Sequence, residues 1–315
     1  MPPTFRSRAC PLCGGTEGAT LFAPEAEEFC STNSTYDPRW RELLDLPKPS
    51  HFPIRRCARC GFVFAELLPD DDFLAALYDR VIVEERCVEG SEFSESYAAR
   101  LRSVADLLEL TKRLPQRKAL DYGSGAGVTL RILAACNVDA VGFEPSAMRA
   151  EYSRAKGMRV VSDTQSLADN APFAMLIFDD VLEHLPDPVA TIQHLGSLTA
   201  PGAAAFVSSP SFEEPALQRQ IEQHRRGAPM RRTVNPWEHL SYFSRATLDR
   251  LMERGGFHPI APHELGRAPD IGLRAERGTV ARMKNSAMSI ARALRWAATG
   301  ADLASVERRY YRRLA

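Results

Sequence analysis

Two pairs of cysteines, a run of alternating glycines and two Glu-His dipeptides are the places where this 315-residue chain sets residue types able to do chemistry. The cysteines stand in ACPLCGG and RRCARCGFVF, pairing Cys10 with Cys13 and Cys57 with Cys60. Two thiolates with two residues between them can face one tetrahedral ion, and the glycine after each pair relieves the turn. Four thiolates leave no open position for water, so the expectation is a closed, structural Zn2+ site. The stretch from Cys13 to Cys57 is longer than a usual ribbon gap, and an insertion holding DPRWRELLDLPKP accounts for it. A redox pair is disfavoured, since no thioredoxin-like strand and helix surround either turn. Cys30, Cys87 and Cys136 are isolated and read as small core hydrophobes.

The glycines lie in ALDYGSGAGV, Ala119 to Val128, at positions 123, 125 and 127, just after Asp121 closes an apolar run. Gly-rich turns after strands hold phosphates, dinucleotides or adenosyl sulfonium ligands. A dinucleotide fingerprint reads G-x-G-x-x-G, and here its sixth position is Val128. The spacing suits a ligand with no pyrophosphate. A side chain at 123 or 125 would block a flat ligand lying over the turn, and Asp121 offers an acceptor to a cationic amine. VDAVGFEPS then ends a second strand with Glu144, an acid placed to accept both hydrogen bonds of a ribose diol. That acid supports an adenosine-like ligand without choosing between NAD and an adenosyl sulfonium.

The elements that must carry these residues follow from periodicity. From about residue 117 the pattern is strand, turn, helix, repeated: KALDY and a helix through Ala134, VDAVGFE and a helix from Ser146, MRVV and a loop, FAMLIF and a helix from Pro188 to Leu198, then AAAFVSS. Alternating strands and helices imply an α/β fold, a doubly wound, Rossmann-like parallel sheet. Its ligand belongs at the carboxyl ends of the strands, where the glycine turn stands. Residues 1–68 form a zinc-ribbon-like module. Residues 69–115 form a helical connector or lid, with helical spacing from Glu92 to Leu114 and Pro115 as its stop. The main domain spans 116–280 with an insert at about 211–236, and 281–315 reads as basic C-terminal helices.

With those elements in order, the chain resembles a class I S-adenosylmethionine-dependent methyltransferase over roughly residues 117 to 275. ALDYGSGAGVTLRILA is similar to that family's first motif and VGFEPS to its ribose-binding motif. FAMLIFDDVLEHLPDP resembles the strand-four motif of the ubiquinone-biosynthesis and sugar methyltransferase subgroup, and LTAPGAAAFVSSPS the strand-five motif. Ala203 stands where a second glycine is usual, and Ala174 where an acid is usual. The resemblance implies that Asp121, Gly123, Ser124, Gly125 and Gly127 hold the methionyl end of the cofactor. It places Glu144, Pro145 and Ser146 at the ribose, Asp163 at the adenine amine, and Asp180 beside the cofactor. Similar N-terminal zinc modules occur in sugar C-methyltransferases, where they help build the substrate side.

Methyl transfer from a sulfonium is an in-line displacement, so the enzyme must place a nucleophile and, for a hydroxyl or carbon acid, remove a proton. NPWEHLSYFS resembles the sugar C-methyltransferase stretch in which a Glu-His pair takes part in catalysis, although Trp237 replaces a histidine and Pro236 a tyrosine. His239 is therefore the expected general base, with Glu238 orienting it or binding substrate, against the reading of a packing histidine that fixes the loop. Asp180, Glu183 and His184 stand at i, i+3 and i+4 in DDVLEHL. His184 joins the candidate site, and the three could also take a divalent ion, as in some quinone O-methyltransferases.

Composition narrows the partners. Lys+Arg and Asp+Glu are both 40, so no global field favours nucleic acid or an anionic membrane. No run of about 18 apolar residues exists, and MPPTFRSRAC lacks the apolar core of a signal peptide, so a cytoplasmic location is expected. Arg225, Arg226, Arg231 and Arg232 could grip phosphate or carboxylate on a carrier-bound substrate, or simply line a solvated helix. The expected acceptor is a small or carrier-bound metabolite such as a sugar or polyketide. The alternatives are a non-catalytic zinc-ribbon binding module and an NAD-dependent oxidoreductase.

Overall fold

A computed structural model describes residues 4–31, 33, 35–46, 50–82, 95–230, 233–265 and 306–314. Its strands are β1 Phe5–Ser7, β2 Gly18–Phe22, β3 Ile54–Cys57, β4 Val63–Ala65, β5 Leu67–Pro69, β6 Lys118–Tyr122, β7 Asp139–Phe143, β8 Val160–Val161, β9 Phe173–Asp179, β10 Thr199–Pro210, β11 Ser241–Tyr242, β12 Phe257–Pro259 and β13 Val306–Arg313. The α-helices are α1 Ala26–Cys30, α2 Trp40–Leu43, α3 Asp71–Ala76, α4 Glu95–Leu110, α5 Val128–Ala135, α6 Ala147–Ala155, α7 Pro188–Ser197, α8 Glu214–Arg225 and α9 Arg245–Arg254.

The central sheet has seven strands in the order β12-β13-β10-β9-β6-β7-β8. The pairs β6–β7, β7–β8, β6–β9 and β9–β10 are parallel, the doubly wound arrangement expected from the strand-helix alternation. The order reverses between β6 and β9, and a crevice opens there at the carboxyl ends of the strands. β9 is buried along almost its whole length, as a strand covered on both faces must be. Helix starts follow local chemistry: Ser146 caps α6, Asp187 with Pro188 starts α7, and Ser244 closes a capping box with Thr247 on α9.

The expected helical tail is corrected at its far end. Val306–Arg313 is a strand, antiparallel to both β10 and β12. Its arginine-rich sequence reads as a basic, packed helix, but two adjacent tyrosines decide otherwise. Tyr310 and Tyr311 point to opposite faces of the sheet and are both buried, which a pleated strand allows. The rest of the tail expected as helix, 281–305, lies outside the described residues, as does Cys87.

A second sheet has four strands in the order β11-β4-β3-β2. Three belong to the N-terminal module, and the fourth comes from Ser241–Tyr242, deep in the following domain. The module expected to end near residue 68 is therefore completed by the segment that carries His239. Its core gathers Phe29, Trp40, Phe52 and Phe73 around Trp237, with ring centroids 5.0–5.4 Å from the indole. The insert packs onto the same core through Phe212, Leu217, Ile221 and Val234. Such edge-to-face packing welds the two parts well beyond what area alone supplies.

Candidate active site

At the end of β6 the chain turns sharply. Gly123, Gly125 and Gly127 all have positive φ, at 78°, 52° and 74°. Two of them also lack room for a side chain: a Cβ on Gly123 would lie 2.6 Å from Val181, and one on Gly127 would lie 2.2 Å from the Ser153 hydroxyl. The Gly125 position faces open space, so there the demand is conformational. Backbone N–H groups of Gly123 and Ser124 both donate to the Phe143 carbonyl, at 2.8 and 3.0 Å, tying the turn to β7.

The turn borders a cavity of about 190 Å3 that also touches Asp121, Arg100, Thr129, Arg149 and Asp179. Arg100, on α4, donates from Nε to Asp179 at 2.7 Å. Asp121 is 3% exposed, and burial, with Asp179 next, pushes its carboxyl up to about 7. A cavity with two guanidiniums and two carboxylates suits a zwitterion, whose ammonium would restore the charge of Asp121 and whose carboxylate would meet Arg100.

Glu144 is buried. Its carboxylate receives the N–H of Gly125 at 2.8 Å and of Ser146 at 2.9 Å. It thus braces the glycine turn as well as standing at the strand end where a ribose would lie. Ser146 is buried and Pro145 exposed beside it. Asp163 does not join the cavity lining. It is exposed on the turn after β8, and Ser166 donates to it from N at 2.8 Å and from Oγ at 2.6 Å. Asp180 takes the left-handed conformation at φ 56° and accepts from the Ser208 hydroxyl at 3.1 Å.

Beyond β9 the two Glu-His dipeptides, distant in sequence, meet. The His184 and His239 rings lie edge to face at 4.9 Å. Each ring is held through Nδ1 by a backbone carbonyl: His184 to Glu238 at 2.7 Å and His239 to Thr233 at 2.7 Å. Nδ1–H donates to those carbonyls, which leaves Nε2 as the basic nitrogen of both rings. Glu183 is fully buried and hydrogen-bonded at neither oxygen among the described residues. Burial, then Asp180, holds its carboxyl well above the usual range. Ligand atoms of Glu183, His184 and His239 lie within 4.8 Å of one another.

Several residues of this region escaped the sequence reading. Arg100 carries no local signal that sets it apart from the other charges of α4. Tyr78, in a π-helical turn over Leu77–Val81, brings its hydroxyl 3.4 Å from His184 Nδ1, with the Arg149 guanidinium over its ring at 5.8 Å. A π-turn is a common mark of a functional position, but no residue pattern announces one. In the basic insert, Arg226 pairs with Glu222, while Arg231 and Arg232 lie outside the described residues.

The four paired cysteines converge at the base of the second sheet. Cys10 and Cys60 sulfurs are 3.6 Å apart, as are those of Cys13 and Cys57, and all four lie within 4.8 Å of one another. Gly14 and Gly61 supply the positive φ, 73° and 71°, that turns each knuckle. Cys60 also binds the catalytic-side domain through its carbonyl, which accepts from Arg250 at 2.8 Å.

A family profile described as a methyltransferase domain matches residues 94–261. A ubiquinone biosynthesis O-methyltransferase of Methylococcus capsulatus is 32% identical over 105 residues, 30% of this chain and 44% of that protein. One from Xanthomonas euvesicatoria is 33% identical over 119 residues, 35% and 48% of the two. The chain thus spans about half the length of the curated relatives it matches. Among solved structures, a SAM dependent methyltransferase from Archaeoglobus fulgidus is 20% identical, covers 77% of this chain and 100% of that one, and has a TM-score of 0.44. The magnesium protoporphyrin IX methyltransferase of Synechocystis is 18% identical, covers 61% and 91%, and scores 0.45. Among the described residues no helix is long and apolar enough to cross a membrane.

Proposed function

The chain belongs to the methyltransferase-domain family, and from that premise we propose that it transfers a methyl group from S-adenosylmethionine to a hydroxyl oxygen of a small or carrier-bound metabolite. The observation that carries this reading is the adjacency of two sites along β9. Asp179, at its end, lines the zwitterion-sized cavity, and His184 and His239 meet just beyond it. Names of the curated relatives support oxygen as the acceptor atom.

The residues divide the work as follows. Asp121, with Asp179, holds the ammonium of the methionyl group and Arg100 its carboxylate. The glycine turn leaves its path unobstructed, and Glu144 holds the ribose with the lone pairs its two backbone donors leave. S-Adenosylmethionine supplies an electrophilic methyl group with a neutral leaving thioether. His239 Nε2 takes the acceptor hydroxyl proton as the oxygen attacks in line, giving an imidazolium, a methyl ether and S-adenosylhomocysteine. The four cysteines suit one Zn2+ with a structural role: it would join the two knuckles and so brace β3, β4 and β11, the strand that follows His239.

Calorimetric titration of the metal-replete protein with S-adenosylmethionine, S-adenosylhomocysteine and NAD tests the cofactor. Micromolar binding of both adenosyl ligands and no heat with NAD is expected. Silence with the adenosyl ligands sinks the enzyme reading and favours a binding module, while heat with NAD alone favours an oxidoreductase. Transfer of labelled methyl to a panel of catechols and nucleotide sugars then identifies the acceptor. His239→Ala should lower kcat at least about 100-fold while leaving S-adenosylhomocysteine affinity unchanged.

A further inference from the structure

Glu238 is held by residues that the methyl-transfer chemistry does not use. Three donors converge on one of its carboxylate oxygens, Oε1: Asn33 Nδ2 at 3.1 Å, Asn235 Nδ2 at 2.9 Å and the Tyr36 hydroxyl. Asn235 also donates to the Tyr36 oxygen at 2.8 Å, and its own carbonyl takes the Trp237 N–H at 3.1 Å. Asn33 in turn receives Thr35 through N and Oγ1, at 3.1 and 2.7 Å, so its amide can face Glu238 only with the nitrogen. An oxygen that takes three donors is a pure acceptor, so the carboxylate proton cannot sit on Oε1. Burial and then Glu238 hold the Tyr36 phenol far above its ordinary range, which keeps it a donor.

All of this effort is spent on one oxygen. Oε2 makes no hydrogen bond among the described residues, yet it is not among the buried polar atoms that lack a partner. It is therefore the oxygen left for a further donor. The Glu238 backbone carbonyl meanwhile fixes His184, and the next residue is His239. Asn33 and Tyr36 sit in the long gap between the two cysteine pairs, whose length the zinc knuckles themselves do not require.

We propose that Asn33 and Tyr36 of the N-terminal module are positioning residues of the acceptor site, fixing Glu238 through Oε1 so that Oε2 receives a hydrogen-bond donor, a hydroxyl or an ammonium, on the methyl acceptor. The proposal rests on the methyltransferase reading for what occupies the site. It makes the N-terminal module a wall of the acceptor pocket, so that acceptor choice is written partly in the segment between the knuckles. A donor-bearing acceptor gains a charge-assisted bond there, and an analogue lacking the donor leaves Oε2 desolvated and unpaired.

The test needs no knowledge of the acceptor. The full-length, metal-replete protein is labelled with [5-13C]glutamate, and the Glu238 carboxyl resonance is assigned by its loss in Glu238→Gln. In Tyr36→Phe the chemical shift of that resonance at one fixed pH should move, because one of the three donors to Oε1 is gone. Asn33→Ala should move it the same way and serves if Tyr36→Phe fails to fold. Ethanolamine, which carries both an ammonium and a hydroxyl, is the probe for Oε2. It should shift the Glu238 resonance of the wild type and do so at least about fivefold more weakly in Tyr36→Phe. An unchanged resonance and an unchanged ethanolamine response in both variants, or no response of the wild-type resonance to ethanolamine, overturns the proposal. S-Adenosylhomocysteine affinity, read by calorimetry, should be equal in all three proteins. If the wild type itself does not bind that ligand, the methyltransferase reading fails, while the ethanolamine response of the carboxyl resonance still decides whether Asn33 and Tyr36 hold Glu238.

Discussion

Replacing Asp121 by asparagine separates what the cleft does for the ligand from what it costs the fold. Burial, with Asp179 adding to it, lifts this carboxyl from an ordinary 3.8 to about 7. The native state therefore binds the proton more tightly than the unfolded chain. The sign follows: the associated stability is full at low pH and is lost as pH rises towards about 7. At 1.36 kcal/mol per unit the loss above pH 7 amounts to about 4 kcal/mol. Asp121→Asn keeps the shape and removes the charge. It should stabilise the ligand-free protein at pH 8 by up to about 4 kcal/mol, and the gain should shrink by about 2–3 kcal/mol at pH 5. The same change removes the partner proposed for the methionyl ammonium, so S-adenosylmethionine affinity should fall about 10- to 100-fold, the worth of one charge-assisted bond. Urea unfolding of both proteins at the two pH values gives the first quantity as a double difference, in which Glu183 and other titrating groups cancel. Calorimetry gives the second. A variant less stable than the wild type at pH 8, or one that binds the cofactor equally well, would refute the reasoning.

Other substitutions test other parts. Cys57→Ser should abolish stoichiometric zinc in the purified protein, and retention of one equivalent by elemental analysis would remove the four-thiolate site. Gly123→Ala combines a left-handed backbone with a Cβ 2.6 Å from Val181, so it should cost about 1–3 kcal/mol in urea unfolding; no change would mean that the turn is softer than drawn. Trp237→Ala empties the centre of the aromatic cluster and should cost about 3–5 kcal/mol. If that loss is accompanied by separate melting of two units, the module and the domain are less tightly joined than their shared core implies.

How far the molecule can be read from its residues depends on whether a signal is local. The order of strands and helices from Lys118 to Pro210 was legible because each element carries its own period and its own stop. The glycine turn, the paired cysteines and the two Glu-His dipeptides were legible because their chemistry sits within a few residues. That His184 and His239 would share a site was readable only through resemblance, since 3.6- and 2-residue periods say nothing of residues far apart in sequence. Arg100, Tyr78, Asn33 and Tyr36 were missed for the same reason: each acts across a module boundary, on Asp179, His184 or Glu238. Asp163, expected at the adenine, stands exposed after β8 and takes two hydrogen bonds from a serine three residues on. β13 was misread because arginines dominate its composition, while two tyrosines dominate its energetics.

The place of β13 has a consequence for synthesis. β12 is joined to the sheet through β13 and not through β10, although β12 leaves the ribosome long before β13 does. Until Val306–Arg313 emerges, β10 must present a bare row of backbone donors and acceptors along Ala204–Pro210, and β12 has no place to dock. A nascent chain halted in that interval is an open-edged sheet, poised to pair with another copy of itself. Holding that edge covered during translation falls to chaperones or to speed.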